Sequence, residues 1–135
     1  MPSGRFARRA RHPLALAVLS VLSAPAVAGN ACLPGYWDNG STCTAASLGY
    51  FVPLAGATAQ IPASIGYYVG ITGASAQSPA TVGHFINTTA ATAQVPCASG
   101  SYVGTTAATV CAIAQAGYFA AGPAATGQTP APLGF

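Results

Sequence analysis

A glycine followed by aromatic residues recurs at a fixed interval through almost the whole chain. Gly49-Tyr50-Phe51, Gly66-Tyr67-Tyr68, Gly83-His84-Phe85, Gly100-Ser101-Tyr102 and Gly117-Tyr118-Phe119 follow one another at steps of 17 residues. So short a period marks a repeat array, in which each unit is one small element that buries its apolar face only against its neighbours. The units are 49–65, 66–82, 83–99, 100–116 and 117–133. Gly35-Tyr36-Trp37 opens an earlier unit, 35–48, about three residues shorter, and Gly134-Phe135 begins another, 134–135.

Numbered from its glycine, the unit has a consistent column structure. Position 3 is aromatic (Phe51, Tyr68, Phe85, Tyr102, Phe119), and position 4 is β-branched except at Ala120. Position 9 is always Ala, and position 10 is Thr or Ser. Position 12 is Gln60, Gln77, Gln94, Cys111 and Gln128; position 14 is proline in every unit except at Ile113. Aromatic and β-branched residues in a short run favour a strand, and the Gly, Asn, Thr and Pro that follow favour a turn. The second extended piece carries the proline, which rules out a helix or a long central strand there. The chain is therefore expected to be all-β: an elongated tandem array of two-strand units. Two geometries remain open. A β-solenoid would stack equivalent positions along one continuous sheet, as the strict spacing favours. A ladder of separate hairpins is favoured by the prolines and is the preferred reading.

Ahead of the array, residues 1–28 read as a helical secretory signal peptide. Arg5, Arg8, Arg9 and Arg11 form a basic segment, Leu14 to Ala24 an apolar one, and Ala26-Val27-Ala28 a cleavage site. The apolar run is shorter than the roughly 20 residues a membrane span requires. No membrane span is expected after cleavage, and residues 29–135 form the repeat domain. The four arginines are the only Arg or Lys residues, so all of the positive charge behind the formal net charge of +3 resides in the signal. From Gly29 onward the one charged side chain is Asp38, counting histidine as neutral. Nucleic acid and anionic lipid are excluded as electrostatic partners. Near-zero charge also removes the repulsion that keeps chains apart, so self-association is expected.

Cys32 and Cys97 each lie three residues before a unit glycine, and Cys43 and Cys111 each lie six residues before the next. This equivalence predicts the disulfides Cys32–Cys43 and Cys97–Cys111 in an exported protein. A zinc site is the competing reading and fails on spacing, because the two pairs are far apart in the array and neither has a histidine beside it.

The segment Cys32-Leu33-Pro34-Gly35-Tyr36-Trp37, followed by Cys43, resembles the C-x-P-G-x-aromatic repeats of ephrin-receptor-like and growth-factor-receptor-like cysteine-rich modules. Tandem arrays on secreted and surface proteins of bacteria look similar. In four units of this chain Gln and Ala stand where that pattern has Cys. The resemblance implies an elongated extracellular array.

No catalytic, cofactor-binding or metal-binding residue is identified. Asp38 and His84 sit in different units, whereas acid–base chemistry needs groups within hydrogen-bond reach of each other. The chain is not expected to be an enzyme. A possible binding stripe is formed by the position-2 tyrosines, Tyr36, Tyr50, Tyr67 and Tyr118, interrupted by His84 and Ser101. Positions 2 and 3 should alternate across the strand, one aromatic column inward as core and the other outward, where it would suit glycan or a surface protein. Asn39-Gly40-Ser41 and Asn87-Thr88-Thr89 match the glycosylation sequon. The expected function is that of an exported structural repeat protein of the cell surface or extracellular matrix, with fibre assembly as one outcome. The alternatives are a glycan- or protein-binding module and a spacer or passenger fragment of a longer surface protein.

Overall fold

The computed structural model describes residues 31–133. The expected signal segment, 1–28, and the unit start at 134–135 lie outside the described residues. Twelve short strands follow one another: β1 (Tyr36–Asp38), β2 (Cys43–Ala45), β3 (Tyr50–Phe51), β4 (Ile61–Pro62), β5 (Tyr67–Tyr68), β6 (Ser78–Pro79), β7 (His84–Phe85), β8 (Val95–Pro96), β9 (Ser101–Tyr102), β10 (Ala112–Ile113), β11 (Tyr118–Phe119) and β12 (Thr129–Pro130). Each unit folds as one antiparallel hairpin, and each hairpin is its own two-stranded sheet. In the second unit Tyr50 stands opposite Pro62 and Phe51 opposite Ile61. The next two units repeat this register with Tyr67 on Pro79 and His84 on Pro96. Both strands of a two-stranded ribbon are edges, so proline, which has no N–H, is tolerated there.

Between hairpins the chain turns on the unit glycine. The Tyr50 N–H donates to the Ser47 carbonyl at 3.0 Å, and the bond recurs at every unit start from Tyr36 to Tyr118. Gly49 and Gly66 take φ of 81° and 82°, the left-handed value that a type II turn demands at its third residue. Leu33-Pro34-Gly35-Tyr36 has the full signature of that turn, with proline before the glycine.

Units join through single backbone hydrogen bonds between non-equivalent positions. Gly49 N–H donates to the Val69 carbonyl at 2.9 Å, and Val52 N–H to the Ala74 carbonyl at 2.9 Å. These bonds run from positions 1 and 4 of one unit to positions 4 and 9 of the next. A third bond skips a unit: the position-8 N–H of Ala90 reaches back to the Ala63 carbonyl at 2.8 Å. A solenoid would instead join equivalent positions along a continuous sheet. Parallel pairing among the described residues is confined to one isolated bridge, Tyr102 to Ala125. The array is a ladder of hairpins.

The core differs from the expected one. Neither aromatic column is buried: Tyr50, Phe51, Tyr67, Tyr68, His84, Phe85 and Tyr102 are all half-buried. The buried side chains are aliphatic or sulfur-bearing and carry no ring: Val52, Val69, Ile86 and Ala120 at position 4, Ala74 at position 9, and Cys32, Ala46, Ala63, Ala80 and Cys97 at position 15. The cause is steric. Neighbouring units approach to backbone hydrogen-bonding distance, so the space between them holds a methyl, a disulfide sulfur or a branched aliphatic but not a ring. The rings are displaced to the flanks; Phe51 packs against the cluster of Ala63, Val69 and Ala74.

Candidate functional site

The most regular side-chain chemistry lies at positions 15 and 12. Cys32 is bonded to Cys43 and Cys97 to Cys111, with Cα–Cα separations of 5.5 and 5.8 Å. The pairing is the one that repeat equivalence predicts, and it belongs to an oxidising, extracellular-type environment. Where position 15 is Ala46, Ala63, Ala80 or Ala114, position 12 of the next unit is Gln60, Gln77, Gln94 or Gln128. Each glutamine Oε1 accepts the backbone N–H of the residue after that alanine. The distances are 2.7 Å from Ser47 to Gln60, 2.7 Å from Ser64 to Gln77, 2.7 Å from Thr81 to Gln94 and 2.8 Å from Gln115 to Gln128. Sequence reasoning recorded the glutamine column but missed this role. The usable signal was the paired exchange: Ala with Gln, Cys with Cys.

The position-2 tyrosines occupy the first strand residue of their hairpins, as expected for a column. Tyr36 and Tyr118 are each 43 % exposed, while Tyr50 and Tyr67 are half-buried. Tyr36 does not stand free, because the tip of its ring lies beside Gly73 in the loop of the third unit. His84 holds the same column position and places Nδ1 3.2 Å from both the Thr81 hydroxyl and the Val82 carbonyl. More apolar surface lies at position 17, where Leu48, Ile65 and Val82 are exposed, and on the second strands at Ile61, Val95 and Ile113.

Asp38 is engaged locally, its Oδ1 accepting the Gly40 N–H at 2.9 Å. Among the described residues no group of three His, Cys, Asp or Glu side chains comes together, and all four cysteines are in disulfides. No helix of the described residues is long and apolar enough to cross a membrane. The two sequons differ. The Asn39 side chain is tied up, donating to the Thr44 hydroxyl at 3.0 Å and accepting the N–H groups of Ser41 and Thr42. Asn87, Thr88 and Thr89 lie on an exposed loop. An open depression of about 390 Å³ lies beside the last loop, lined by Pro123, Thr126 and Gln128 among others.

No protein-family model matches the chain, and no curated protein matches it as a relative.

Proposed function

We propose that this protein is an exported, non-catalytic structural array that acts at the cell surface or in the extracellular matrix. One observation carries the reading. The recurring columns at positions 1, 4, 8, 9, 12 and 15 are all engaged in holding one unit to another. Recurrence therefore serves cohesion of the ladder, which is the economy of a spacer or coat. The disulfides, the lack of charge and the resemblance to extracellular cysteine-rich repeats point the same way. The exposed aliphatics at positions 13 and 17 supply surface for lateral association. The test is localisation in the source cell. Protease added to intact cells should remove the repeat domain, and deletion of residues 1–28 should abolish that sensitivity. A protein resistant to protease in intact cells, and released only on lysis, overturns the reading.

A second reading rests on the tyrosines. Tyr36 and Tyr118 are partly exposed on one register position, and aromatic faces of this kind hold sugars or protein surfaces. Glycan-array binding that is lost in Tyr67→Ala and Tyr118→Ala would support a binding module. Equal binding by wild type and both variants would remove it.

A further inference from the structure

The fold treats the two Asn-x-Ser/Thr sequences, Asn39-Gly40-Ser41 and Asn87-Thr88-Thr89, in opposite ways. Asn39 closes the tight turn of the first hairpin. Its Nδ2, the atom to which a sugar is joined in N-glycosylation, donates to the Thr44 hydroxyl at 3.0 Å. Its Oδ1 accepts the Ser41 and Thr42 N–H groups, each at 3.0 Å. The Asn39 N–H donates to the Thr42 carbonyl at 3.2 Å. A glycan on Asn39 would replace one hydrogen of this engaged nitrogen and set a bulky group in the turn between Asp38 and Cys43, which face each other across the hairpin.

Asn87 stands at position 5 of its unit, just beyond strand β7. Asn87, Thr88 and Thr89 are all exposed. Their side chains make no hydrogen bond among the described residues. Positions 5 to 7 also take no part in cohesion, because no backbone bond between units starts or ends there. The units before and after have glycine at position 5, Gly70 and Gly104, and both are exposed. The equivalent places on either side of Asn87 thus present no side chain. A large group on Asn87 breaks no bond that the ladder depends on.

We propose that Asn87 is an N-glycosylation site and that Asn39 is not. The inference rests on the exported reading, since the sequon is used on surface loops of secreted proteins. The co-substrate is an oligosaccharide carried on a lipid diphosphate. Asn87 Nδ2 forms a bond to the anomeric carbon of that sugar. The bond from this carbon to the diphosphate oxygen breaks, and the lipid diphosphate leaves with the electron pair. One Nδ2 proton passes to a base of the transferase, and nothing is oxidised or reduced. The Thr89 hydroxyl supplies the third place of the motif. The glycan gives a hydrated group to an array whose one charged side chain is Asp38, counting histidine as neutral. It stands at the loop end of its hairpin, whereas the exposed Leu48, Ile65 and Val82 lie at the turn end of theirs.

The test is mass spectrometry of the full chain purified from its source cell. The chain is reduced and cleaved after aromatic residues, because no Lys or Arg follows Arg11. The peptide Ile86–Tyr102 should carry sugar, and the peptide beginning at Asp38 should carry none. Amidase release should leave Asp in place of Asn87. Asn87→Gln and Thr89→Ala should each abolish the sugar, and Thr89→Ser should keep it. A peptide beginning at Gly29 in the same digest reports export independently. Chains that begin at Gly29 with Ile86–Tyr102 unmodified overturn the inference and leave the exported reading standing. Chains that retain residues 1–28 and carry no sugar overturn both. Sugar that persists in Asn87→Gln, or sugar on Asn39, also overturns the inference.

Discussion

Gln60 Oε1 accepts the backbone N–H of Ser47 at 2.7 Å, in the place where the preceding unit has the covalent bond from Cys43 to Cys32. A neutral hydrogen bond and a disulfide thus perform one task at equivalent positions: each ties the second strand of a hairpin to the turn that leads into it. The hydrogen bond contributes about 0.5–1.5 kcal/mol, and the disulfide about 3 kcal/mol for loops of this length. The array is held most firmly at the segment entering its first unit and at the junction of the fourth and fifth.

The equivalence is expected to be transferable. Ala63→Cys with Gln77→Cys should form a disulfide without moving the backbone, since the sites are 14 residues apart like Cys97 and Cys111. The cross-link should raise stability by up to about 3 kcal/mol. Mass spectrometry before and after reduction, with thermal melts of both forms, checks it; a persistent pair of free thiols after oxidation would contradict it.

The reverse exchange is also expected to fold. Cys97→Ala with Cys111→Gln should give the hydrogen bond found in the neighbouring units and lose about 2 kcal/mol in all, the disulfide's contribution less that of the new bond. Cys97→Ala with Cys111→Ala should lose about 1 kcal/mol more. Denaturant titration of the two double variants reads the difference directly.

The unit glycines should not be equally sensitive. At Gly117 the φ of 85° is the whole objection to a side chain, because the space beside it is open. Gly117→Ala should cost about 1–2 kcal/mol. At Gly66 the φ is 82° and the Cβ would also overlap the Ala107 carbonyl. Gly66→Ala should cost a further 1–3 kcal/mol or so for the forced separation of the units. Melting curves showing the same loss at both sites would refute the close approach.

Position 8 holds a strain that glycine can remove. Ala90, Ala107 and Ala124 take φ of 54°, 55° and 57°, where the earlier units have Gly56 and Gly73. An L-residue there costs roughly 1–2 kcal/mol, part of which glycine gives back as unfolded-chain entropy. Ala107→Gly is expected to stabilise the protein by about 0.5–1 kcal/mol. The check is the urea midpoint, which should rise with no change in slope.

Much of the ladder was legible in the glycine and aromatic columns. The 17-residue step places the hairpins, the prolines opposite Tyr50, Tyr67 and His84 keep each sheet to two strands, and the cysteine offsets give both disulfides. The core was not legible. Phe51, Tyr68 and Phe85 read as its natural members, yet Ala63, Ala80 and Cys97 occupy it. Hydrophobicity says that a residue prefers to leave water; it does not say how close two backbones will come, and that distance decided which side chains fit.

Sequence alone determined the period, the punctuation by glycine, the near absence of charge and the pairing of cysteines. These are local or recur at a constant offset, so they survive reading in one dimension. Only the tertiary structure decided that positions 1 and 4 reach the next unit, and that position 8 reaches the one before last. Those relations are bonds between backbone groups 17 to 27 residues apart. A backbone N–H or carbonyl is the same in every residue but proline, so the side-chain alphabet carries no direct record of its partner.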